Sequence, residues 1–128
     1  MRSTRRGFTL VELLVVVVIL GILAAFAIGA VLQSRSRSFG AALHSDLRNL
    51  AAAQEGHLAE KGTYATDLTQ LPVHASPGVT LVVTSGDSVG WGATATHPAA
   101  MQPTCAIFHG RPASVPAPAV AEGVIACQ

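Results

Sequence analysis

From Leu13 to Leu32 the chain is apolar apart from two glycines and carries no charge, and at Gln33 it turns abruptly polar. At about 1.5 Å of rise per residue this run spans roughly 30 Å, the thickness of a bilayer hydrocarbon core. Val15 to Val18 and Ile19 are β-branched and mediocre helix formers in water. A single spanning segment can satisfy its backbone in lipid only as a helix, so they do not prevent one. Past Gln33-Ser34-Arg35-Ser36-Arg37-Ser38 the helical period continues. Phe39, Leu43, Leu47, Leu50 and Leu58, with Ala51 between them, recur at three- and four-residue steps as one apolar stripe, while Ser45, Asp46, Arg48, Asn49, Gln54 and Glu55 fall on the wetter faces. The pattern predicts one helix from about Phe8 to Glu60, a rod of roughly 80 Å, with Gly62 as C-terminal cap after Lys61.

The two halves of this helix need different surroundings. Residues 8–32 are apolar all round and require lipid or other apolar helices on every side, whereas residues 33–61 have one face to cover and residues 62–128 are available to cover it. In that remainder, Tyr64 to Pro72 reads as a loop and one short helical turn, with Thr66 as N-cap, Pro72 as stop, and Tyr64, Leu68 and Leu71 packing on the rod. Val79–Thr84, Val89–Thr96 and Cys105–His109 read as strands, the first two joined by the turn Ser85-Gly86-Asp87-Ser88. The expected fold class is therefore α+β: a long helix crossed by a small three-stranded antiparallel sheet. Pro112, Pro116 and Pro118 make Arg111–Gly123 an extended surface segment.

Composition bounds the function. With 128 residues, 50% hydrophobic and 12% charged, the chain is one small domain plus a membrane segment. Arg2, Arg5 and Arg6 precede the apolar run and hold that end in the cytoplasm, sending the rest outward; Arg35 and Arg37 weaken this bias without reversing it. Cys105 and Cys127 then lie in a compartment that permits a disulfide; two free thiols or a metal pair are the other readings. A disulfide here would enclose the proline-rich segment and contribute about 3 kcal/mol to a small head.

No catalytic constellation is visible. His44, His57, His74, His97 and His109 are scattered without metal-ligand spacing, and Gly86-Asp87-Ser88 has one carboxylate where a calcium loop needs several oxygens. Ser85 and Ser88 lack a nucleophile elbow. The chain reads as a non-enzyme without cofactor or metal.

One residue in the apolar N-terminus demands a reason. Glu12 stands at the edge of the run, and an acidic side chain at the centre of a membrane helix costs about 2.5 to 3.5 kcal/mol unless it finds a partner. Its setting, a basic leader ending in Gly7 followed by Phe8-Thr9-Leu10-Val11-Glu12-Leu13, resembles the type IV pilin family from Arg5 to about Leu32.

The resemblance implies cleavage after Gly7 by a prepilin peptidase, N-methylation of the new first residue, Phe8, and assembly of the mature helices into a filament. It also implies a lollipop of helix and head, and supports pairing of Cys105 with Cys127. The Phe8 amine, with an ordinary pKa near 8, is then mostly protonated and can neutralise Glu12 of a neighbouring subunit. Loss of the three leader arginines takes the formal charge from +1 to −2, which together with the sparse Arg35, Arg37, Arg48, Lys61 and Arg111 makes no case for nucleic-acid binding.

The implied partners are copies of the chain itself, the prepilin peptidase and N-methyltransferase, the inner-membrane assembly machinery, and the bilayer before assembly. The implied location is the bacterial inner membrane, then an extracellular pilus or periplasmic filament. Many family members have a proline where this chain has Gly29. The alternatives are a pseudopilin of type II secretion, a minor pilin for adhesion or DNA uptake, an ordinary secretory signal cut near Ala30, and a plain single-span protein. The length of the run and Glu12 near its start count against a secretory signal, whose apolar region is about 7 to 15 residues long.

Overall fold

The computed structural model describes residues 7–128, so the basic leader with Arg2, Arg5 and Arg6 lies outside the described residues. One helix, α1 (Leu10–Lys61), is followed by a single 3-10 turn (Leu68–Gln70) and four strands, β1 (Thr80–Gly86), β2 (Gly90–Thr96), β3 (Thr104–Gly110) and β4 (Ala126–Cys127). Contacts divide the chain between Ser34 and Arg35 into two units.

The first unit is the apolar part of α1. Every large hydrophobic side chain from Leu10 to Leu32 is between 45% and 79% exposed. This stretch is long and apolar enough to cross a membrane.

The second unit has its own core. Leu43, Leu47 and Leu50 of α1 are fully buried in one cluster with Tyr64, Leu71, Leu81, Trp91, Ala93, Ala95, Cys105 and Ile107. Burying each large side chain contributes about 1.5–3 kcal/mol. The outer members of the stripe contribute less: Leu58 packs at the cluster's margin, and half-buried Phe39 stacks on His97 with ring centroids 4.1 Å apart. The helix ends at Gly62, whose φ of +74° suits a residue without Cβ and whose N–H donates to the Leu58 carbonyl at 2.8 Å.

The sheet is antiparallel in the order β1-β2-β3-β4, so it has four strands rather than three. The additional strand escapes a pattern search because two residues carry no period; it exists because Cys127 pairs with Cys105 and Ala126 with Ala106. β1 runs through Ser85 and Gly86, which turn chemistry had assigned to the hairpin. The turn is made by Asp87 instead: its Oδ1 accepts from the backbone N–H of Val89 at 2.7 Å and of Gly90 at 2.9 Å. That carboxylate is engaged by backbone donors, as a turn residue's should be. The cap of the 3-10 turn is likewise Asp67 rather than Thr66, accepting from Thr69 N–H at 2.7 Å.

Two polar residues assigned to the wet side of α1 are buried. Asp46 is 3% exposed and Gln54 fully buried. Both serve chain segments that return over the helix. Asp46 accepts from the Ser76 backbone N–H at 2.7 Å and from its hydroxyl at 2.8 Å. Gln54 donates to the Ala65 carbonyl at 3.1 Å and accepts from the Ala65 N–H at 2.8 Å. Loop backbone cannot be buried unpaired, and these side chains stand in for a strand.

Candidate functional site

At the N-terminus, Gly7 and Phe8 precede α1 and are exposed, Phe8 to 74%. Thr9 is the residue before the first helical position, and it shares three hydrogen bonds with Glu12. Its backbone N–H and hydroxyl donate to Glu12 Oε2 at 3.0 and 2.8 Å, and the Glu12 N–H donates to Thr9 Oγ1 at 3.3 Å. This is a capping box: Thr9 and Glu12 each satisfy an otherwise orphaned backbone donor of the other. The Thr-x-x-Glu spacing is the sequence signature of such a box. The carboxylate is not exhausted by the cap, since Oε1 makes no hydrogen bond among the described residues. An exposed apolar sleeve thus begins with one preformed carboxylate that has an oxygen to offer.

In the second unit Cys105 and Cys127 are joined as a disulfide, held on directly opposed positions of β3 and β4. The pairing continues one residue past β4, with Thr104 and Gln128 exchanging backbone bonds of 3.1 and 2.9 Å. The segment that the disulfide closes is tied down along its length. Pro116 is buried against β2, where a Cβ on Gly92 would meet its Cδ at 2.8 Å. Glu122 Oε1 lies 3.0 Å from His109 Nδ1 and accepts from the Gly110 N–H at 2.8 Å, and the Gly123 N–H donates to the Phe108 carbonyl at 2.8 Å. The expected free surface segment is therefore partly a covering layer for the sheet.

Tyr64 links this region to the helix. Its ring meets His109 edge-on at 6.4 Å and its hydroxyl donates to Glu55 Oε1 at 3.3 Å. Burial, and then the nearby Glu55 charge, push that hydroxyl above the ordinary tyrosine pKa.

Sequence spacing offers none of the five histidines a partner, but the fold supplies them to His109, beside Glu122, and to His44. His44 Nε2 lies 3.4 Å from Cys127 Sγ, although 83 residues separate them.

Comparison with known proteins finds resemblance over part of the chain. Residues 2–31 match the family described as the prokaryotic N-terminal methylation motif. The chain is 43% identical over 60 residues to the type IV major pilin protein PilA of Myxococcus xanthus, covering 47% of this chain and 27% of that protein. It is 44% identical over 71 residues to the type IV major fimbrial protein FimA of Dichelobacter nodosus and 38% identical over 71 residues to the fimbrial protein EcpC of Eikenella corrodens, in both cases covering 52% of this chain and 44% of the relative. The chain therefore spans less than half the length of these relatives.

Proposed function

We propose that this chain, whose N-terminal segment is that of the type IV pilins, is a structural subunit of a type IV pilus-like filament, cut after Gly7, methylated at Phe8 and polymerised through α1. The observation that carries the reading is the exposed apolar sleeve from Leu10 to Leu32 with Glu12 as its sole charge. Such a surface is stable in lipid, or in a bundle of similar helices, and nowhere in water. Because both of those environments are apolar, close packing and polar pairing drive the transfer from one to the other rather than the hydrophobic effect.

Glu12 supplies the polar pairing. Its Oε2 is held by Thr9, which fixes the carboxylate's orientation, and Oε1 receives the Phe8 amine of the next subunit, setting the axial register. The relatives named above are major pilin and fimbrial proteins, which supports a pilus subunit over a secretion pseudopilin.

Intact mass of the membrane form tests the processing: the expected product begins at Phe8 and carries one methyl group. A deletion strain complemented with wild-type or Glu12→Ala chain tests the assembly. Filaments should return only with the wild type; a product cut near Ala30, or normal filaments from the variant alone, would refute the reading.

A further inference from the structure

We infer that the Cys105–Cys127 pair has a second state, in which reduction converts it with His44 into a binding site for a thiophilic d10 cation such as Zn2+. The three ligand atoms, His44 Nε2 and the two sulfurs, lie within 4.8 Å of one another. They come from three elements, α1, β3 and β4, none of which needs to move far.

Tetrahedral zinc, with bonds of about 2.3 Å to sulfur and about 2.0 Å to nitrogen, places N and S about 3.5 Å apart and two sulfurs about 3.8 Å apart. The His44 to Cys127 distance is already 3.4 Å. The separation that must grow is the one between the sulfurs, and reduction releases it.

The surroundings suit such a site. A cleft of about 230 Å³ opens onto the disulfide, lined by Arg37, His44, Met101 and Gln102 as well as the two cysteines, so an ion and a water as fourth ligand have a route in. The strands hold the sulfurs together without the covalent bond: Cys105 and Cys127 stay opposite through the Ala106–Ala126 pairing, the Thr104–Gln128 exchange, and the bond from Gln102 Nε2 to the Cys127 carbonyl at 3.3 Å.

The chemistry balances. A phosphine reductant and one water convert the disulfide into two thiols and phosphine oxide. Binding of the cation by two thiolates and the neutral imidazole then releases two protons. The cation restores a cross-link between β3 and β4 and adds one to α1, so the strap on the C-terminal segment persists in the reduced chain as a metal bridge.

The test uses the full chain in detergent, reduced with a phosphine and titrated with Co2+, whose thiolate charge-transfer absorption reports sulfur ligation, followed by displacement with Zn2+. One Co2+ should bind per reduced chain and none per oxidised chain. His44→Ala should weaken binding at least tenfold, about the loss caused even by removing an outer partner of a metal ligand. The Cys105→Ser, Cys127→Ser double variant should show no charge-transfer band.

Trp91 near-ultraviolet dichroism monitors folding throughout. If His44→Ala does not fold, His44→Cys decides, since a third thiolate should preserve tight binding. Equal affinity in wild type and His44→Ala, binding by the oxidised chain, or a reduced chain that loses the Trp91 signal and binds nothing would each overturn the inference.

Discussion

Gln54 and Ala65 exchange two hydrogen bonds, of 3.1 and 2.8 Å, with the Gln54 side chain fully buried. A primary amide matches a peptide group donor for acceptor, so this one side chain closes both backbone groups of the residue where the chain turns back over α1. The same residue forms part of the sheet's environment, since a Cβ on Gly86 would collide with the Ala65 carbonyl.

Gln54→Ala should therefore destabilise the second unit by about 2–6 kcal/mol, since each of two buried backbone groups loses its partner at about 1–3 kcal/mol. Gln54→Glu should also destabilise, because its carboxylate keeps the bond from the Ala65 N–H but faces the Ala65 carbonyl without a donor. Denaturant unfolding followed by Trp91 fluorescence measures both. Glu60→Gln, on the exposed end of α1, is the control and should change little.

Reduction of Cys105–Cys127 in metal-free buffer should lower stability by about 3 kcal/mol on the chain-entropy estimate for a loop of this size. The effect should concentrate in the C-terminal segment, where limited proteolysis would cut between Arg111 and Gly123 first. Equal resistance with and without reductant would show that Glu122, Gly123 and Pro116 hold the segment by themselves.

On the proposed mode of assembly, substitutions at Thr9 and Glu12 separate capping from filament formation. Thr9→Ala removes the cap and should cost about 1 kcal/mol of helix stability, yet leave the carboxylate to pair with a neighbour, so filaments should persist. Glu12→Ala removes the carboxylate from both roles, leaving only the Thr9 hydroxyl as acceptor for the residue-12 N–H, and should abolish filaments while membrane insertion continues, because losing a charge makes residence in lipid easier. Electron microscopy of cells expressing each variant alone checks the contrast. Loss of filaments in both would mean that the cap itself is what assembly requires.

Tyr64 predicts a response to alkali. Its hydroxyl is held above its ordinary pKa, chiefly by burial, so the neutral form is favoured in the folded state. The contribution is complete below the ordinary tyrosine value of about 10 and is lost as pH rises through the folded-state value. The melting temperature should fall more steeply above about pH 10 in the wild type than in Tyr64→Phe. Tyr64 is the chain's one tyrosine, so phenolate absorbance follows its titration directly.

The features legible in the sequence were those that repeat locally. The apolar run to Leu32, the stripe of Leu43, Leu47 and Leu50, the helix end at Gly62 and the β-rich stretches all follow from a period or from one residue's conformational preference, so a short window contains the whole signal. Bonds between distant residues were not legible. Asp46 reads as a solvent-facing residue until Ser76, 30 positions on, arrives above it, and Gln54 until Ala65 does. β4 has no pattern of its own and is a strand because β3 has an edge to fill. His44 stands beside two sulfurs only because α1, β3 and β4 converge there. In each case, the energy of pairing a buried polar group or an open strand edge outweighs local preference, and where that partner lies is decided by the path of the folded chain.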